Sequence, residues 1–66
     1  MKKYRVMYRP SERAGDLTAR TEEVYADGWR VETDKVVLYA HEQDADILVL
    51  DIPTTRVMRI QEIGAQ

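Results

Sequence analysis

The sequence contains no cysteine. Disulfides are therefore excluded as a source of stability, and so are thiolate metal sites and a cysteine nucleophile. Other nucleophile chemistry is almost as sparse, with Ser11 the only serine and His41 the only histidine. A hydrolytic triad needs nucleophile, base and orienting acid within hydrogen-bond reach, and nothing in the spacing links Ser11 to His41. No segment approaches the roughly 18 apolar residues of a membrane span. The basic start "MKKYRVMYRP" is followed by no apolar run of the length a secretory signal needs. A soluble, cytoplasmic protein without a cofactor is the expectation.

What is present fits one small domain. The 66 residues are 44% hydrophobic and 33% charged, which predicts a single β domain over residues 1–66. A domain of this size buries only about 60% of the surface its unfolded chain exposes, so it needs support that disulfides cannot supply here. Oligomerisation is the remaining candidate. The formal charge of −2 hides an asymmetry, since residues 1–20 carry a net +4 and residues 21–66 a net −6. Such a split suits attraction between a basic strand and acidic neighbours, within the chain or between copies.

Strand patterns run through the chain. "KYRVMYR" alternates, with Tyr4, Val6 and Tyr8 on one face and Lys3, Arg5 and Arg9 on the other. Pro10 closes it, and "PSERAGD" reads as a loop. In "LTARTEEVYA" the apolar phase slips near Glu22 and Glu23, which predicts a bulge. Asp27-Gly28 suggests a two-residue type I′ turn, with Tyr25 and Trp29 flanking a hairpin and Gly28 at positive φ. Trp29, Val31 and Thr33 then face inward. "TDK" makes the next reversal, and "HEQDAD" forms a polar loop between two strands. Pro53 stops the second of these because it has no N–H to give to a ladder. The tail, residues 54–63, reads as strand in preference to a helix ending at Gly64.

From Trp29 through "VETDKVVLY", "LVLDIP" and "RVMRI" the order resembles the strand pattern of bacterial pleckstrin-homology-like (PH-like) domains, in which a T-D-K turn precedes an apolar strand and an I-P leads into another. The resemblance spans residues 29–60. It implies a curled β-structure closed by a C-terminal helix, and a lipid- or peptide-binding role assigned to no particular residue here.

The fold expectation is all-β: five to six short antiparallel strands in a small meander curled into a sandwich or partial barrel. "DKVVLYA" and "ILVLDI" are apolar on both faces of the strand, more than one small core can cover. Val37, Tyr39, Leu48 and Leu50, with Met58 and Ile60, are therefore expected to form a face buried against a second copy, as a homodimer or higher oligomer, or against another protein. On this reading the chain is a non-enzymatic, self-associating interaction module, a small bacterial or phage regulatory or inhibitor protein. The alternative is a small nucleic-acid-binding β-barrel with Lys3, Arg5 and Arg9 as an anion-binding stripe. That reading is the weaker, because stacking on single strands needs aromatics on the basic face and the alternation puts Tyr4 and Tyr8 on the other. His41, Glu42, Asp44 and Asp46 lack the ligand spacing and glycine of a calcium loop and read as a solvated turn. Asp51 interrupts an apolar run, so it needs the solvent edge or a cation among Arg5, Arg9, Arg56 and Arg59.

Overall fold

The computed structural model describes residues 1–10 and 20–65. Ser11, and the part of the loop and of the following run that covers residues 11–19, lie outside the described residues. The elements are β1 (Lys2–Tyr8), β2 (Arg20–Ala26), β3 (Gly28–Glu32), β4 (Lys35–Glu42), β5 (Ala45–Pro53), a 3-10 turn (Thr54–Arg56) and β6 (Val57–Ala65). The tail is thus a strand. The fold is all-β, two antiparallel three-stranded sheets of order β2-β1-β6 and β3-β4-β5.

The alternation of β1 sets the first sheet. Tyr4 and Val6 are buried, and directly opposed residues share a face, so Val24 (across from Tyr4) and Ile60 (across from Val6) turn inward with them. In the second sheet β4 supplies Val36 and Leu38, with Ile52 opposite Val36 and Leu50 opposite Leu38. Tyr4, Val6, Ala26, Val36, Leu38 and Ile52 form the core between the sheets, flanked by Tyr8, Val24, Leu50, Val57 and Ile60. Leu50 and Ile60, expected on an outer interface, pack against this core instead.

Asp27-Gly28 does not make a hairpin. β2 and β3 lie in different sheets, and the chain turns a corner at Asp27. The Asp27 N–H donates to the Tyr39 carbonyl at 2.8 Å and its carboxylate accepts the His41 N–H at 2.6 Å, so the corner is held by β4. Gly28 has no left-handed φ, and its small size serves another purpose: a β-carbon there would stand 2.6 Å from the Tyr39 hydroxyl. The left-handed turn lies instead at Gln43 (φ 51°) and Asp44 (φ 64°), the two residues joining β4 to β5. Both central positions at positive φ match the twist of the flanking strands, and Asp tolerates that conformation.

The "TDK" reversal is where expected, with Glu32 opposite Lys35. Its Asp34 carbonyl accepts both the N–H (3.0 Å) and the hydroxyl (3.1 Å) of Thr54, tying the β3–β4 turn to the start of the 3-10 turn. β2 pairs with β1 without a shift, so there is no bulge at Glu22-Glu23. The price of that register is Glu22 on the inward face, where its carboxylate accepts the Tyr8 hydroxyl at 2.9 Å. Irregularity appears elsewhere: two shifts between β1 and β6, and one in β5 that leaves Val49 opposite no residue of β4.

Candidate functional site

The outer face of the second sheet carries Tyr39 and Val37 of β4, Arg30 and Glu32 of β3, and Leu48 and Asp51 of β5. Its charged groups link end to end. Asp51 meets Lys35 at 3.5 Å, Lys35 meets Glu32 at 3.9 Å, Glu32 meets Arg30 at 2.9 Å, Arg30 meets Asp46 at 3.8 Å, and Asp46 meets His41 at 2.5 Å. The Arg30 hydrogen bond holds the Glu32 carboxyl below the usual carboxylate range, and the same bond raises Arg30. Arg30 also lies 5.3 Å from the centre of the Tyr39 ring, with His41 edge-on to that ring at 5.5 Å. All these contacts are solvent-accessible, so screening leaves each of them a small contribution to stability. Val37 lies in one row with Arg30 and Asp51, is only 5% exposed, and is not part of the core between the sheets. Its cross-strand neighbours on this face are charged side chains, Arg30 and Asp51.

The apolar surface left over is therefore not one shared face. Because β5 bulges at Val49, Leu48 stands opposite Tyr39 on the outer side while Leu50 stands opposite Leu38 on the core side. Val37 is buried, Tyr39 half-buried, and Leu50 and Ile60 pack against the core; Leu48 and Met58 remain exposed. Leu48 is joined by two residues the sequence pattern did not single out. Ile47, Leu48 and Val49 are consecutive and exposed by 43%, 59% and 38% on a nine-residue edge strand. Trp29 and Val31 sit on the core-facing side, as expected, opposite Leu38 and Val36, but at the margin of β3 both are exposed. The first sheet covers the middle of the second and leaves its margins open.

The basic stripe divides. Lys3 and Arg5 both meet Glu23, each at 3.2 Å, and Lys2 meets Glu62 at 3.7 Å. Hydrogen bonds from Lys3 and then Arg5 lower the Glu23 carboxyl. Arg9 is at the other end of β1, where its guanidinium donates to the Val57 carbonyl at 3.2 Å. Tyr25, exposed on the same face with Lys3 5.6 Å from its ring centre, is the aromatic that β1 lacks there. Asp51 finds Lys35, not an arginine.

A cleft of about 260 Å³ opens beside Tyr8, Leu50, Asp51, Ile52, Pro53 and Arg56. The Tyr8 hydroxyl in it is committed to Glu22, and burial together with that bond pushes its pKa up to about 12. Among the described residues, no group of three or more His, Asp and Glu side chains is arranged to hold a metal ion. Among them, too, no helix is long and apolar enough to cross a membrane. Comparison with protein-family models, curated proteins and solved structures found no match to this chain.

Proposed function

We propose that this chain is a non-enzymatic protein-interaction module that binds through the β5 edge of its second sheet, in the manner of a small regulatory or inhibitor protein. One observation carries this reading: three consecutive large apolar residues, Ile47, Leu48 and Val49, lie exposed on a strand whose far side pairs with no strand among the described residues. An open edge offers unpaired N–H and C=O groups to an added strand, and apolar side chains beside it supply the contact area. Natural edges are usually blunted by charge or proline, and this triplet has neither. The nucleic-acid reading has less support, since Glu23 sits between Lys3 and Arg5 and offsets both.

Selection from a library of random extended peptides tests the proposal. Binders are expected to alternate apolar with polar residues, and to lose affinity for a Leu48→Lys variant whose circular dichroism matches the parent. Binders indifferent to Leu48→Lys, or a selection that enriches nothing at concentrations where the chain is monomeric, remove the proposal.

A further inference from the structure

The two ends of β5 carry opposite charge. Glu42 and Asp44 flank the turn that leads into it, Arg56 follows it, and none of these three side chains has an ion-pair partner among the described residues. The charges inside the strand are satisfied, Asp46 by His41 and Arg30 and Asp51 by Lys35. What stays unmatched is acid at one end, arginine at the other, and the apolar triplet Ile47–Val49 between them.

A partner strand that completes this pattern must be apolar at its centre, cationic where β5 is acidic and acidic where β5 is cationic. β5 itself, run in the opposite direction, meets that description. We infer that the occupant of the edge is a second copy of this chain, its β5 antiparallel to the first about a two-fold axis, so that two three-stranded sheets become one continuous sheet. This rests on the β5 edge being the interaction surface.

Symmetry restricts the register. A two-fold axis normal to the sheet keeps each side chain on its own face, so outer-face residues of one β5 meet outer-face residues of the other. Asp46 and Asp51 both lie on the outer face because β5 slips at Val49, and each already has a cation within its own sheet, Arg30 and Lys35. With Leu48 or Val49 on the axis, the triplets cover one another. The Glu42–Asp44 turn of each copy then reaches the Thr54–Arg56 turn of the other. Pro53 ends the ladder just before that point. A parallel arrangement would set acid against acid and arginine against arginine.

Sedimentation velocity of the whole chain over a concentration series, with charge-reversed variants, decides the matter. The parent is expected to dimerise. A double variant, Glu42→Lys with Asp44→Lys, and a single variant, Arg56→Glu, each repel themselves at both ends of the interface, so each should raise the dimer dissociation constant about tenfold or more. An equimolar mixture of the two should recover dimer, because every end again meets its opposite. Thermal melts by circular dichroism confirm that each variant is folded. No weakening by the single-end variants, or no recovery on mixing, overturns the two-fold pairing. A chain that stays monomeric while binding selected peptides in a Leu48-dependent way overturns the second copy and leaves the edge as the binding surface. A dimer that survives Leu48→Lys overturns both.

Discussion

Gly28 and Tyr39 stand opposite one another across the β3–β4 ladder, and a β-carbon at Gly28 would meet the Tyr39 hydroxyl oxygen at 2.6 Å and its Cζ at 2.9 Å. The ring cannot swing aside freely, since Arg30 lies against it and His41 abuts it edge-on. Gly28→Ala should therefore destabilise the fold by roughly 1–3 kcal/mol. In a Tyr39→Val background the same change should cost less than about 0.5 kcal/mol, because the obstacle is gone. Urea denaturation of the four proteins in this double-mutant cycle measures the coupling; strictly additive costs would show that the close approach does not matter.

Val37 and Leu48 read alike in the sequence and differ in the structure. The first is buried between its cross-strand neighbours Arg30 and Asp51, and the second is mostly exposed. Val37→Ala should cost about 2 kcal/mol, through lost burial and the cavity left behind. Leu48→Ala should change monomer stability by less than about 0.5 kcal/mol. Chemical denaturation at concentrations too low for association makes the comparison. Equal costs at the two positions would contradict this difference in burial.

Tyr8 links the core to alkaline pH. Burial is the main cause of its raised pKa, followed by the hydrogen bond to Glu22 and the charge of that carboxylate, with Arg56 pulling the other way. A tyrosine titrating at about 12 when folded and 10.0 when unfolded favours the folded state while it is protonated. That contribution is complete below the unfolded value and disappears as pH rises through the window between the two. A Tyr8→Phe variant has no such group to titrate. The stability gap between parent and variant, taken from denaturation midpoints, should shift against the parent across that window; a constant gap would refute the assignment.

Glu23 holds two cations at once. Its lowered pKa means that its contribution is present above the usual carboxylate range and is lost as pH falls below it. Glu23→Gln keeps the shape and removes the charge, leaving Lys3 and Arg5 facing solvent beside Tyr25. The variant should elute from heparin at higher salt than the parent. Unchanged elution would mean that Glu23 does not mask the basic face.

Much of the architecture was legible because strand side chains alternate with a period of two. The pattern of β1 placed Tyr4, Val6 and Tyr8 inside and Lys3 and Arg5 outside, Pro53 marked the end of β5, and "TDK" marked a reversal, all from local chemistry. The candidate site was legible only in part. The doubly apolar character of β4 and β5 announced a surplus, but a run such as "ILVL" has no polar residue to declare its register.

Tertiary structure settled what alternation leaves open. One unpaired residue, Val49, sends Leu48 outward and Leu50 into the core, because a single-residue slip reverses every face beyond it. Val37 is buried in a row with Arg30 of β3 and Asp51 of β5, an arrangement spread over three strands that no local stretch encodes. Asp27-Gly28 has the composition of a hairpin turn, yet its hydrogen bonds go to Tyr39 and His41 of β4. The nature of that corner was decided by which strand lay within reach of Asp27, and reach is a property of the folded chain.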